Sequence, residues 1–249
     1  MSRTLIRLGA LAGFAVMAAG SNALAQGACS ARSTPAITPV VELYTSEGCS
    51  SCPPADRWLS ALKDGRPVVA LAYHVDYWDR LGWKDRHASP TYTRRQAAQQ
   101  RHNGARFSYT PQVVANGIDR PDWPSLRGAP QPAGSAPLTI ALTRDGDATV
   151  ATVQAGAQAP RQLSALWAVT EDGHVSQVQA GENQGARLHH DHVVRELLEV
   201  ASWSPQAQPV APLRFVPQTR PDPAHPRHVV LVVLDPATGR PLQALQLDC

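Results

Sequence analysis

The sequence lacks an excess of charge of either sign, and it has few lysine and aromatic residues. Its 249 residues include 23 Lys and Arg against 20 Asp and Glu, and aromatic residues make up 6%. Without a basic surplus the chain has no electrostatic footprint for nucleic acid or for an anionic membrane surface. Beyond the first residues no apolar stretch approaches the ~20 residues of a membrane-spanning helix. We therefore expect no nucleic acid among its partners and no stable membrane insertion.

The first 25 residues combine a basic start, a short apolar run and small residues. Arg3 and Arg7 provide the positive charge, and the sequence "ALA" offers a cleavage site before Gln26. This pattern is typical of a secretory signal peptide, here residues 1–25. A lipoprotein signal at Cys29 is the alternative, but the residues before that cysteine lack the apolar side chain that such a site usually has. We expect a periplasmic or secreted protein in an oxidising compartment.

A stretch without large apolar side chains, "GAPQPAGSAP" at residues 128–137, predicts a linker between two domains. Before it, residues 26–127 alternate strand and helix patterns in the order β-α-β-α-β-β. "PVVELY" and "PVVALAYHV" are typical of strands, while "PPADRWLSALKDG" repeats apolar residues at helical spacing. A polar helix follows Ser89-Pro90, and we expect its arginines on a solvated face. This set comprises Arg94, Arg95 and Arg101.

After the linker, residues 138–249 show mostly strand patterns. Apolar and polar residues alternate around Leu138, Ile140 and Leu142 and again around Trp167. The run "VVLVVL" (Val229–Leu234) is typical of a buried central strand, whereas "VVRELLEV" fits a helix or a strand. These patterns predict a β-rich, sandwich-like domain with its own core.

The sequence "YTSEGCSSCPPAD" carries the most distinctive chemistry. Cys49 and Cys52 lie three positions apart, after a predicted strand and at the start of a predicted helix. The partial positive charge of a helix N-terminus stabilises a thiolate, and the two-residue spacer lets one thiol reach the other. Pro53 and Pro54 support a helix that begins at Cys52, because proline is tolerated in a first turn. A structural disulfide and half of a metal site are the alternatives.

The downstream sequence "YTPQVVANG" places Pro111 ahead of a strand and hairpin. With the preceding β-α-β order and the Cys-x-x-Cys pair, it resembles the thioredoxin fold over roughly residues 39–124. The resemblance implies a cis Thr110–Pro111 bond, with the Thr110 backbone beside the cysteines and free to pair with a partner peptide. The fold class that it implies is an α/β thioredoxin-like domain followed by the β-rich, sandwich-like domain.

Four motifs together extend the resemblance over most of the chain: "CSSCPPAD", "HVDYWDRLGWKD", "YTPQVVANG" and "GENQGARL". They are similar to a bacterial family of secreted thioredoxin-like proteins described only as a domain of unknown function. Gly48 stands where thioredoxins carry Trp, and Leu43 occupies the position of their buried Asp. Glu42, one position away, is expected to face the other side of the sheet. The second thiol therefore lacks an obvious proton acceptor.

His74, Asp76 and Trp78 lie at or after the end of a predicted strand, where open α/β sheets bind ligands. They are candidates for a general base or for a surface that binds a partner peptide. The alternative is that they only pack in the core. "HHDH" (His189–His192) could place two histidines on one face for Cu or Zn, but a solvated loop is expected there. The sequence "GEN", with Glu182 and Asn183, is expected to form a turn.

Two further cysteines, Cys29 and Cys249, are expected to form a structural disulfide, because the count is then even. The leading hypothesis is thiol–disulfide exchange with exported protein thiols or disulfides, with Cys49 attacking and a more buried Cys52 resolving. No cofactor and no resident metal are expected for this reaction. The alternatives are a Cu(I)-binding protein that uses the same cysteines with His74, and a non-enzymatic binding module with a fixed disulfide.

Overall fold

The computed structural model describes residues 29–65, 67–132, 134–206 and 212–249. In these ranges the chain forms two α-helices, α1 (Pro53–Ser60) and α2 (Pro90–His102), and fourteen strands. The strands of the first half are β1 (Ser30–Arg32), β2 (Val40–Thr45), β3 (Val69–His74), β4 (Gln112–Ala115) and β5 (Ile118–Asp119). Those of the second half are β6 (Leu138–Asp145), β7 (Ala148–Ala155), β8 (Leu163–Glu171), β9 (His174–Gln177), β10 (Arg187–His190), β11 (Val193–Trp203), β12 (Leu213–Phe215), β13 (Arg227–Leu234) and β14 (Pro241–Leu247). The predicted signal peptide, residues 1–25, lies outside the described residues.

The strands form three sheets. The largest has eight strands in the order β14-β13-β8-β11-β3-β2-β4-β5, a second has the order β1-β6-β7-β12, and β9 and β10 form a separate two-stranded sheet. In the large sheet β3 runs parallel to both β2 and β11, while the other neighbours are antiparallel. The sheet is therefore mixed, and β3 occupies its middle.

The predicted fold class, an α/β thioredoxin-like domain followed by a β-rich, sandwich-like domain, is wrong. The molecule is mostly β, and its largest sheet takes strands from both halves of the sequence. The halves join where β11 pairs with β3, with Val193 opposite Ala72. β3 is buried along its whole length, so an unpaired edge there would leave backbone N–H and C=O groups without partners in an apolar region. β11, the segment "VVRELLEV" that fitted a helix or a strand, covers that edge.

Each face of the large sheet carries its own core. One face holds a continuous cluster that reaches from Tyr73 on β3 to Leu166 on β8 and Val232 on β13. The opposite face is covered by α1 in one part and by the four-stranded sheet in the other. In the second part Trp167 is stacked on Phe215, with ring centroids 5.3 Å apart. Residues predicted for this core are buried in it: Leu138, Ile140, Leu142, Trp167, Leu231 and Val233.

Successive side chains of β2 point to opposite faces of the large sheet, and each face packs against a different helix. Val41 and Leu43 pack with α1, whereas Glu42 and Tyr44 face the side of α2. There Glu42 forms a buried ion pair with Arg95, at 2.7 Å, and also accepts a hydrogen bond from Gln99. Glu42 thus faces away from α1, as expected, but the solvated face predicted for Arg95 is wrong, because the buried carboxylate holds the guanidinium inside.

The two ends of the described chain are joined covalently. Cys29, just before β1, forms a disulfide with Cys249, just after β14, which is the predicted pairing. β1 and β14 are edge strands of two different sheets, so the bond links the four-stranded sheet to the large one. Across the described ranges, neither α-helix is long and apolar enough to cross a membrane.

Candidate redox site

The cysteine pair lies in the loop between β2 and α1. Cys49 and Cys52 are joined by a disulfide, and Cys52 is the N-cap of α1, with prolines in the first helical turn. The backbone N–H of Cys49 donates to Ser46 O, and that of Cys52 donates to Cys49 O. These turns bring the two sulfurs together at the positive end of the helix, where a thiolate is stabilised.

Both cysteines are completely buried, at 0% exposure, whereas Ser50 and Ser51 between them are exposed. The expectation that Cys49 is more open than Cys52 is therefore wrong for this state of the molecule. The spacer hydroxyl of Ser51 lies 3.4 Å from Cys49 Sγ and 3.5 Å from the carbonyl oxygen of Thr110. A partner sulfur can reach the disulfide only if a neighbouring segment moves.

The segment that covers the pair comes from the second half of the chain. Asn183 Nδ2 donates to the carbonyl oxygens of Glu47 and Cys49, both at 2.9 Å, and Glu182 Oε2 accepts from the Ser50 N–H at 3.0 Å. We call this connection between β9 and β10, residues 178–186, the cover loop. The sequence "GEN" within this loop predicts only a turn, because nothing local links it to cysteines more than 130 positions away.

Thr110 and Trp78 border the spacer on another side. The Thr110–Pro111 bond is cis, as predicted. Trp78 Nε1 donates to Thr110 Oγ1 at 2.8 Å, and its side chain packs on Gly48, where an added Cβ would lie only 3.0 Å from Trp78 Cβ. Any larger residue at position 48 would push Trp78 away, which accounts for glycine there.

A buried group of acidic and imidazole side chains lies on the protein side of this loop. Glu47, two residues before Cys49, accepts a hydrogen bond from Trp83 Nε1 at 2.6 Å with one carboxylate oxygen. Its other oxygen lies 3.6 Å from His190 Nε2. On the far side of that ring, Nδ1 lies 3.9 Å from Asp56 Oδ1, while Asp56 Oδ2 accepts from Thr45. His190 is 2% exposed and thus stands between two buried carboxyl groups.

His74, a predicted site residue, ends β3 within this same group. Its Nδ1 lies 2.7 Å from Asp85 Oδ2, and its ring centroid is 4.9 Å from that of His190. Burial alone would lower the pKa of His74, but the Asp85 carboxylate outweighs it and the pKa lies above its usual value. The contact with His74 holds the pKa of Asp85 low despite burial, and Asp85 also accepts hydrogen bonds from the backbone N–H groups of Glu47 and His87, which act in the same direction.

Not every predicted residue lies at the cysteines. Asp76 is half-buried and binds the Thr93 hydroxyl on α2, so its contacts belong to the start of that helix. The solvated loop predicted for "HHDH" is wrong, since His190 is 2% and His192 8% exposed. β10 pairs with β9, and its alternation turns His190 inward while His189 faces solvent; His192 follows the strand and is also buried.

The described residues contain no group of three or more His, Cys, Asp or Glu side chains arranged to hold a metal ion. In this structure the thiols that the Cu(I) alternative requires are joined to each other. The arrangement places a disulfide at the N-terminus of α1, in a loop that also carries the buried Glu47 carboxyl group beside His190.

Asn183→Ala is expected to speed reduction of the Cys49–Cys52 disulfide by roughly tenfold, because it removes two hydrogen bonds that hold the cover loop closed, each worth about 0.5–1.5 kcal/mol. The measurement is the rate of reduction by a small thiol, followed by alkylation and intact mass. Gln184→Ala changes an exposed neighbour in the same loop and is the matched control. Equal rates in both variants would contradict a covering role.

Comparison with known proteins gives one family and two similar structures. A family model described as "Protein of unknown function (DUF1223)" matches residues 40–233. No curated protein matches the chain. The crystal structure of protein AGR_C_4864 from Agrobacterium tumefaciens aligns at a TM-score of 0.61 and 24% identity, covering 86% of this chain and 96% of that one. HBP35 of Porphyromonas gingivalis aligns at 0.59 and 15%, covering 86% and 76%. At these identities the likeness shows the fold alone.

Proposed function

This chain belongs to the DUF1223 family of proteins of unknown function, and we propose that it is an exported thiol–disulfide oxidoreductase whose redox centre is the Cys49–Cys52 pair. The observation that carries the proposal is a two-residue-spaced disulfide at the N-cap of α1, in a segment whose Glu47 and Asp56 carboxyl groups are buried on either side of His190. A disulfide serving only as a staple has no need of buried ionisable groups in its segment. Partners are thiols or disulfides of other exported proteins.

Two disulfides in one chain support the exported location, because thiols stay reduced in most cytosolic compartments. The signal-peptide pattern of residues 1–25 points the same way. We place the protein in a periplasm or outside the cell, where partner proteins also carry disulfides.

The reaction follows the usual chemistry of exchange. A partner thiolate attacks Cys49 Sγ, a new S–S bond forms, and the Cys49–Cys52 bond breaks with its electron pair leaving on Cys52. A second partner thiolate then attacks the partner sulfur of the mixed disulfide and releases Cys49. The partner is oxidised to a disulfide and the protein is reduced to a dithiol; the reverse sequence reduces a partner disulfide.

Thr110 and Trp78 are the proposed contacts for a partner peptide. The Thr110 carbonyl lies within 3.5 Å of the Ser51 hydroxyl, and the Trp78 indole N–H fixes the Thr110 side chain at 2.8 Å. An extended segment that carries the partner sulfur could pair with this backbone once the cover loop moves. His74 and Asp76 do not contact this surface and are not included in it.

A reduction-potential titration of the Cys49–Cys52 pair tests the proposal. We expect a potential in the range of known oxidoreductases, from about −270 to −120 mV, with the Cys29–Cys249 bond far more resistant. A potential below about −300 mV for Cys49–Cys52 would favour the fixed staple. Stoichiometric Cu(I) uptake by the reduced protein, together with no exchange activity toward a disulfide substrate, would favour the metal alternative.

A further inference from the structure

Exchange at a buried pair raises the question of where its protons go. Reduction of a disulfide to a dithiol takes up two electrons and two protons, and both cysteines are at 0% exposure. The sequence offers no acid on β2 at the expected position, since Leu43 is there and Glu42 pairs with Arg95 on the opposite face. A buried thiolate without a proton donor is costly to form. A group close to Cys52 therefore has to give and take its proton.

Asp56 is the acidic residue one helical turn after Cys52. It lies four residues after Cys52, and its backbone N–H donates to Cys52 O at 3.2 Å in the first turn of α1. Side chains four positions apart on a helix are neighbours, about 5–6 Å between Cβ atoms. Both side chains are buried, Asp56 at 7% exposure, so they share the inner face of the helix.

His190 gives this carboxyl group a partner for its second oxygen. Asp56 Oδ2 is taken by the Thr45 hydroxyl at 3.1 Å, whereas Oδ1 faces His190 Nδ1 at 3.9 Å. Neither ring nitrogen of His190 has a hydrogen-bond partner among the described residues, although the ring is almost completely buried. The imidazole of His190 therefore lies between two buried carboxyl groups, with one ring nitrogen facing Asp56 and the other facing Glu47.

We propose that Asp56, assisted by His190, gives and takes the proton of the Cys52 thiol during exchange. This inference rests on the proposed function. When Cys52 attacks the mixed disulfide at Cys49, its proton passes to the Asp56 carboxylate, the new S–S bond forms between Cys52 and Cys49, and the partner leaves as a thiolate. In the opposite direction Asp56 returns the proton to the Cys52 thiolate and regains one released by the partner thiol.

The charges around Asp56 come from four segments. His190 on β10 and His74 on β3 favour the carboxylate, Asp85 before α2 opposes it, and Glu47 faces the other side of His190. Burial is the largest influence and raises the pKa of Asp56 above its usual value. A raised pKa brings a carboxyl group closer to the pH at which a thiol exchanges protons.

The Asp56→Asn variant tests whether Asp56 exchanges a proton with Cys52 or only supports the structure. We expect resolution of a preformed mixed disulfide at Cys49 to slow by about 100-fold at neutral pH. The deficit should shrink as the pH passes about 9, where the Cys52 thiol ionises without help. The separate acidic inflection of the wild-type profile, caused by protonation of Asp56, should be lost, and the rate of the variant should instead fall steadily with pH below the pKa of the thiol. Stopped-flow release of a fluorescent thiol from Cys49 measures these rates.

Two further variants keep the test decisive. Asp64→Asn, at an exposed site shortly after α1, is the matched control and should behave as wild type. His190→Gln removes an imidazole that lowers the pKa of Asp56, so the acidic inflection should move to higher pH. Asp56→Asn should unfold no more readily than wild type at neutral pH. The folded protein holds the Asp56 proton more tightly than the unfolded chain, so ionisation of Asp56 costs stability as the pH rises above the unfolded value.

A wild-type pH profile in Asp56→Asn, or a deficit equal at every pH, would overturn the assignment while leaving exchange intact. A wild-type protein that resolves no mixed disulfide at any pH would instead reject the proposed function. The two failures are thus distinguishable in one set of measurements.

Discussion

Cys52→Ser is expected to accumulate a covalent complex with a disulfide-bonded substrate protein, whereas Cys49→Ser should form none and lose exchange activity to the solution background. Cys49 makes the mixed disulfide in the proposed reaction, and only the Cys52 thiol can release it from within the protein. Ser51 Oγ, 3.4 Å from Cys49 Sγ, can donate a hydrogen bond to a Cys49 thiolate, and Thr110 lies on the same side of the spacer. Cys52 instead sits at the N-cap, followed by the two prolines of the first turn.

Non-reducing electrophoresis and intact mass, after incubation of each reduced variant with the substrate, measure the trapped fraction. Ser50→Ala changes the spacer without removing a thiol and is the control. Equal trapping by both cysteine variants would show that the roles are not divided as proposed. If neither variant traps a partner and wild type shows no exchange, the pair is a staple.

The double variant Cys29→Ser/Cys249→Ser is expected to lose up to about 5 kcal/mol of unfolding free energy. The disulfide closes a sequence separation of 220 residues, and in the chain-entropy model such a loop strongly restricts the unfolded chain. The bond also connects β1 and β14, which belong to different sheets. Urea titration of wild type and double variant, with Cys49–Cys52 oxidised in both, measures the difference.

A matched control for this prediction is the double variant Cys49→Ser/Cys52→Ser. Its disulfide closes a separation of only three residues, so the same model assigns it a much smaller effect on the unfolded chain. If the two double variants lost similar amounts of stability, the terminal bond would not act through loop closure. A loss below about 1 kcal/mol for the terminal pair would contradict the prediction outright.

Local sequence signals predicted the elements of the fold but not their assembly. The strand β2, the helix that begins after Cys52, the hairpin after Pro111 and the alternating core around Trp167 all follow from patterns within a few residues. The single mixed sheet does not, because the pairing of Val193 with Ala72 joins segments about 120 residues apart. No periodicity within either segment records its neighbour, so the halves were treated as separate domains and the fold class was wrong.

The residues of the site also fall into those that a local motif predicts and those that it does not. Cys49, Cys52 and the cis Thr110–Pro111 bond could be predicted because each belongs to a short motif. Asp56 could have been found as well, since a helix starting at Cys52 puts it one turn later on the same face. Asn183 and His190 could not, because a turn and a histidine-rich segment carry no signal of what they cover until the chain is folded.

The β9–β10 hairpin contributes both Asn183, which donates a hydrogen bond to the Cys49 carbonyl oxygen, and His190, which lies beside Asp56. A nascent chain emerging from its N-terminus presents Cys49 and Cys52 well before this hairpin exists. During that interval the pair is uncovered, and of the two other cysteines in the sequence only Cys29 precedes the hairpin, because Cys249 follows it. We expect biogenesis to pass through a stage in which Cys29 pairs wrongly with Cys49 or Cys52. Its correction by a disulfide isomerase would be detectable as isomerase-dependent yield, absent when Cys29 and Cys249 are both serine.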